Sequence, residues 1–427
     1  MVTIVCILYF IILTYIGFNL LYKPATRFRV PFTKHEYMLC NGPEALLIFI
    51  FWTGLIGLGP VLSLRLGVLE ILCYLGIYKA RSRVVWSVPL QIYVLFLIWV
   101  VIGCFYTPSP VFGGRMVLKY LYPFLVALFA STVVRDREVA FKAIIGDRIT
   151  ALVVWLSYFV PGMMFLVRGV FWHAAALTTH FITVSMFSLS CCYIPQQRFR
   201  NILWCIVFSL PCFIWSFRTG ILGLTVACAA FFFVKYRLKS VPIIAAIGFL
   251  AVCSIFYIPR IKQKMYFNPD KVTLTDFLTG NVEESNINTS GRNLMWDVVM
   301  PFYEDNKLIG AGTGRVQKFF YTEIVGFGRG GQLHSDFLLM LCDNGLIGFF
   351  LYVLSYLGVL FHCMSIYRRT NDSYTKALSI TAGAALCGVL VTLYSDNSVS
   401  YSMCTLSYPW GLYGMVLGLY KREKEQS

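Results

Sequence analysis

The 427-residue chain is poor in charge: Asp, Glu, Lys and Arg make up 13% of it, against 58% hydrophobic residues. That scarcity excludes a water-soluble fold, which would have more apolar surface than its polar residues can cover. The 14 cysteines lack the paired spacing of a metal site and the framework of a disulfide-stapled domain. They lie mostly in apolar segments and read as small buried hydrophobes. The first residues lack a basic n-region and an A-x-A-like cleavage site, so they are expected to be a retained span and not a signal peptide. No Asp-x-Asp pair or carboxylate cluster marks a divalent-cation site. No metal and no cofactor is therefore expected.

What is present is a series of apolar runs, each long enough as a helix to cross about 30 Å of hydrocarbon. Backbone polar groups must be satisfied inside lipid, and runs this long are not barrel strands, so an all-α polytopic membrane protein is expected. Spans fall near residues 2–21, 43–60, 62–78, 86–104, 119–133, 149–167, 178–194, 201–217, 219–234, 240–257, 345–363, 377–394 and 403–420. Pro60, Arg65 and Glu70 interrupt the pattern over residues 43–78, which makes twelve the competing count to thirteen. The 36 Phe and 26 Tyr, many near span ends, fit interfacial anchoring.

A formal charge of +16 invites a nucleic-acid reading, but its distribution argues against one. Twenty-two of the 36 Lys and Arg residues sit in short loops or the tail, from Lys23, Arg27, Arg29 and Lys34 through Lys79, Arg81 and Arg83 to Lys421, Arg422 and Lys424. This is the positive-inside pattern, which explains the basicity by topology. With thirteen crossings the amino terminus lies outside and the tail inside; with twelve the amino terminus lies inside. The chain divides into transmembrane helices over 1–257, a large outer loop over 258–344, and C-terminal transmembrane helices with a short inner tail over 345–427. Apolar patches at Trp296 to Phe302 and Phe337 to Leu341 predict that the loop folds into short helices against the membrane mouth.

The remaining basic residues are Arg65, Arg115, Lys119, Arg168, Arg218 and those of the large loop, including Arg260, Arg292, Arg315 and Arg329. An outer-face arginine runs against the positive-inside bias and needs an anionic or polar answer. Arg218 stands in a tight turn, Ser216-Phe217-Arg218-Thr219-Gly220. It either snorkels to headgroups or aims a guanidinium into a cavity to grip phosphate. Arg292 and Trp296 share a face if a helix begins at Ser290-Gly291-Arg292. His334 follows a glycine-rich turn and precedes a helix start; such a histidine either caps locally or takes a proton from a sugar hydroxyl. His173 and His180 are candidates for the lining of the same cleft. His35 and His362 fall on or near the inner side. Gly310-Ala311-Gly312-Thr313-Gly314 lacks the Gly-Lys-Ser/Thr and the preceding strand of a phosphate loop, so a tight turn is expected. Asn288-Thr289-Ser290 matches the glycosylation pattern.

Ser-Phe-Arg-Thr-Gly at 216–220, Ser-Gly-Arg-x-x-x-Trp at 290–296, Leu-Ile-Gly-Ala-Gly-Thr-Gly at 308–314, and His-Ser-Asp-Phe-Leu followed by Asn-Gly-Leu-Ile-Gly over 334–348 stand in an order that resembles the O-antigen ligase and polymerase family of bacterial inner-membrane proteins. The resemblance implies a GT-C-like bundle of about 12–13 helices in the bacterial inner membrane. Its active site would face the periplasm, and its donor would be a glycan linked to a polyisoprenyl (undecaprenyl) pyrophosphate. It matches Arg218 and Arg292 to the family's pyrophosphate-binding arginines and His334 to its essential histidine; Ser335 departs from the family's frequent asparagine. Arg115, Lys119, Arg168, Arg315, Arg329, Trp296, Asp336 and Asp396 are the expected substrate contacts. A pyrophosphate leaving group needs cations and no general acid, and a base opposite it favours inversion.

Within the family, a polymerase elongates lipid-linked repeat units and a ligase transfers the finished glycan to lipid A-core. Ser395-Asp396-Asn397-Ser398 looks more like the polymerase branch. Partners expected beyond the lipid-linked donor and acceptor are the bilayer, a chain-length regulator and a flippase, with no nucleic acid. A lipid-linked-sugar transporter is the alternative from another class, but transporters place charged sites near the midplane, where this chain has only Arg65 and Glu70. A purely structural assembly partner is the last alternative, and it would not need His334 and two exposed arginines.

Overall fold

In the computed structural model, residues 2–24, 26–28, 38–80, 84–160, 170–193, 198–323 and 333–426 are described. They form a helical bundle with one two-stranded antiparallel ladder, β1 (Thr26–Phe28) on β2 (Met38–Cys40). The long helices are α1 (Val2–Tyr22), α2 (Gly42–Thr53), α3 (Leu62–Lys79), α4 (Val88–Tyr106), α5 (Pro110–Val133), α6 (Arg137–Ser157), α7 (Ala174–Cys191), α8 (Arg198–Ile214), α9 (Arg218–Tyr236) and α10 (Val241–Tyr257). In the large loop lie α11 (Pro259–Met265) and α12 (Arg292–Glu304), followed by α13 (Asp336–Arg369), α14 (Ser373–Ser395) and α15 (Ser407–Gln426). Shorter helical turns cover Leu274–Thr279, Arg315–Lys318 and Ser402–Thr405.

The chain is a multi-pass membrane protein, but the expected span count needs correction. Among the described residues, eight helical segments are long and apolar enough to cross a membrane, one of them the continuous run Arg218–Tyr257 that holds α9 and α10. Twelve or thirteen were expected because every apolar run was counted. The others fall on helices that fail for identifiable reasons. Helix α2 has 12 residues and α8 has 17, α6 carries Lys142, Asp147 and Arg148 along its length, and α15 ends in Lys-Arg-Glu-Lys-Glu. Helix α15 is nonetheless central: every residue from Ser407 to Leu419 is buried. Gly414 and Gly418 let it approach α5 closely, since a Cβ at either would fall 2.1 Å from the Ala127 carbonyl oxygen or 2.3 Å from that of Val134.

Hydrogen bonds gather the basic segments at one end of the bundle. Lys79 donates to the Leu21 carbonyl, Arg422 to the Arg135 carbonyl, and Glu423 accepts from Thr370 and Asn371. The opposite end carries the loop helices and the starts of α9 and α13.

The glycine run of the loop is a structural turn stitched into the spans. Gly310, Gly312 and Gly314 all have positive φ, and each is pressed against other backbone, so no side chain fits. The amides that would cradle a phosphate are occupied. Ala311 N donates to the Cys342 carbonyl, Gly312 N to that of Asp343 and Thr313 N to that of Gly103. The buried Asp343 carboxylate accepts from Gly314 N and Val316 N, both at 2.9 Å. Asp343→Ala would strand two buried amides, each costing about 1–3 kcal/mol. Thermal unfolding in detergent should show the loss, and an unchanged midpoint would refute this account of the turn.

Candidate active site

Three segments converge at the loop end of the bundle, each bent by a residue in the left-handed region. Among the described residues only five non-glycine residues have positive φ, and three belong here: Ser216 (53°), Ser290 (56°) and His334 (52°). Such conformations cost about 1–3 kcal/mol each and persist where surrounding contacts enforce them. Each lies at, or two residues before, a sequence-predicted functional residue.

Arg218 opens α9 immediately after the α8–α9 turn. Its Nη1 donates to the Asn288 carbonyl at 2.6 Å and its Nη2 to Ser290 Oγ at 2.9 Å, which ties the turn to the loop just before α12. Lys264 on α11 caps the end of α8 by donating to the Trp215 and Ser216 carbonyls at 3.1 and 3.4 Å. Arg292, first residue of α12, is half-buried, and its guanidinium makes no hydrogen bond to a described residue. Burial holds its guanidinium below the usual arginine range, and the Asp396 carboxylate opposes that shift. Partial burial, with Arg218 and Arg260 nearby, pulls the Lys264 ammonium down as well. Arg218 and Arg292 feel each other's charge. Arg218, Arg292, Lys264 and Arg260 are thus neighbours at this corner, and the Asp396 carboxylate acts on Arg292. An anionic ligand is what such a corner lacks.

His334 is held beside Asp396 at the start of α13. Its backbone N–H donates to Asn397 Oδ1 at 3.0 Å, and its ring Nδ1 is 3.0 Å from Asn397 Nδ2 and 3.9 Å from Asp396 Oδ1. The side chain is 41% exposed, so the other ring edge is open. Trp296 anchors α12 to this strand of chain: its indole N–H donates to the Leu333 carbonyl at 3.1 Å and its ring meets Tyr394 edge-on. Helix α12 thus puts Arg292 and Trp296 on one face, as their spacing predicted, with Trp296 serving as a support.

The other expected contacts divide. Arg115 and Lys119 line a small cavity of about 20 Å³ with Ser63, Trp172, Ser400 and Ser402. It lies beyond the segment that follows Asn397, and Tyr401 in that segment packs on Trp172 and on His173, the latter at 4.2 Å. Asp336 is buried and accepts from Val399 N at 2.9 Å, so it fastens α13 to that same segment. Arg315 is paired with Glu323 at 2.8 and 2.9 Å and stacks over Phe302, away from the His334 group. Arg168 and Arg329 lie outside the described residues. His180 sits in the bundle core, 3.2 Å from Asp147, and not in the cleft.

Residues 203–353 match a family model described as O-antigen ligase. Over this segment the chain is similar to that family. The segment contains Arg218, Arg292 and His334, and it supports a membrane enzyme of polysaccharide metabolism in general. Comparison with curated proteins finds no match to the chain. Two residues that the sequence did not single out join the O-antigen ligase segment here. Lys264 is near in space only because α11 folds back on the α8–α9 turn, and Asn397 comes from beyond the matched segment. No spacing in the sequence links either to its partners.

Proposed function

We propose that this protein is a periplasmic-face glycosyltransferase that polymerises oligosaccharide repeat units carried on polyisoprenyl pyrophosphate, without a metal and with inversion. The observation that carries the reading is the meeting of a cation cluster (Arg218, Arg292 and Lys264) with a histidine whose ring is clamped on one side and open on the other. The donor pyrophosphate sits on Arg218 and Arg292. Negative charge grows on its bridging oxygen as the sugar carbon departs, and fixed guanidinium groups stabilise that charge without reorganising. His334 Nε2 takes the proton of the attacking hydroxyl, and Asp396 stabilises the imidazolium that forms. Attack from the side opposite the leaving group inverts the sugar carbon.

A polymerase must hold two lipid-pyrophosphate carriers. Arg115 and Lys119, beside the serine hydroxyls of their small cavity, are a second cationic pair, which we take for contacts to the acceptor. The second reading is transfer to lipid A-core, favoured by the printed description of the matching family. Purified protein in liposomes, given lipid-pyrophosphate repeat units with and without lipid A-core, separates the two. Elongation without lipid A-core is the expected result. Transfer only to lipid A-core makes the protein a ligase, and no transfer to either acceptor by folded protein removes the glycosyltransferase reading.

A further inference from the structure

We infer that Asn397 is a positioning residue that holds resting His334 with its proton on Nε2. The inference rests on the reading above for its chemistry, but the hold on the ring is a matter of geometry alone.

A backbone N–H can only donate. The Asn397 atom 3.0 Å from His334 N is therefore the amide oxygen, and the amide nitrogen must face Nδ1. That nitrogen donates, so Nδ1 accepts. A neutral imidazole with an accepting Nδ1 carries its single proton on Nε2. In this state Nε2 offers the open cleft a donor and not a lone pair. The clamp is firm, because Asn397 is buried, with 4% exposure, and both ends of its amide are engaged.

Base action needs the opposite arrangement, with the proton on Nδ1 and an acceptor to hold it. Asp396 Oδ1 stands 3.9 Å from Nδ1, beyond hydrogen-bond reach, and at present accepts from Asn397 N at 2.8 Å. The other ionisable group facing the ring is His173, which reaches it past Tyr401. Asp336 beneath is fixed on Val399 N. For base action the Asp396 carboxylate has to turn to Nδ1 in place of the Asn397 amide. The ring takes a proton from water on Nδ1 and returns the Nε2 proton to water, with no net change. Nε2 then accepts the acceptor hydroxyl's proton as the new C–O bond forms, and the old C–O bond breaks with its electron pair on pyrophosphate.

Nitrogen-15 NMR of full-length protein labelled at histidine, in nanodiscs, reads the tautomer directly, with His334→Gln identifying the resonances. Without ligand, wild type should show the proton on Nε2. Asn397→Asp, which presents only acceptors, should show Nδ1 protonated. Asn397→Ala should lose the resting preference and reduce kcat by about a hundredfold with the donor KM unchanged. Melting curves establish that both variants fold. Nδ1 protonation in ligand-free wild type, or an Asn397→Asp spectrum like that of wild type, would overturn the inference. None of the spectra requires turnover, so tautomer changes as expected in a protein that transfers no glycan would remove the glycosyltransferase reading and leave the role of Asn397 standing.

Discussion

Replacing His334 with alanine is expected to slow glycan transfer by about 10²- to 10⁴-fold, the range for loss of a positioned general base. The effect should fall on kcat, because the cations that hold the donor are untouched. Alanine brings one complication. Residue 334 has φ of 52°, a left-handed conformation that asparagine tolerates better than alanine. His334→Asn is the cleaner variant: it keeps the backbone donor to Asn397 and tolerates the conformation, yet offers no base. Both variants should be equally inactive in single-turnover transfer, and only the alanine variant should lose stability. Transfer at the wild-type rate by folded His334→Asn would exclude the histidine from the chemistry.

Much of this was legible in the sequence, for reasons that can be traced to particular residues. The apolar runs gave helices because lipid leaves the backbone no other partner. The ends of the bundle could be sorted because basic residues follow topology. The glycine run was readable as a turn, since nothing after Gly314 fits a phosphate loop, but its fastening to Asp343 was not: that carboxylate lies 29 residues on from Gly314, and only the folded chain brings it back. Span counting failed where apolar character and membrane crossing part company. Helix α15 is buried in protein over its first thirteen residues and needs no lipid-facing side, so its hydropathy says little about its place. Arginines were the hardest to sort. Arg315 and Arg292 look alike in sequence, yet the guanidinium of one is paired with Glu323 and that of the other has no hydrogen bond to a described residue. A partner eight residues away on a turn is a tertiary fact. Asn397 is the clearest limit, because an amide announces its role only through the two groups it clamps.

The same distinction separates Arg292 from Arg218 and sets the second large effect. Arg292→Ala should lower transfer by about 10²- to 10³-fold, as expected for loss of one preorganised donor to a developing anion. It should leave the melting temperature nearly unchanged, since the guanidinium makes no hydrogen bond to a described residue. Arg218→Ala removes a comparable catalytic contribution and in addition the bonds to Asn288 and Ser290, so it should destabilise the loop by about 1–3 kcal/mol. Lysine discriminates further. At 292 it keeps the charge and loses the fork, so part of the activity should return; at 218 one ammonium cannot span the Asn288 carbonyl and Ser290 Oγ while also meeting phosphate, so little should. Because both arginines serve one pyrophosphate, the double alanine variant should be less impaired than the product of the single effects. If the two effects multiply instead, the arginines do not share a ligand, and the donor site has to be drawn around one of them alone.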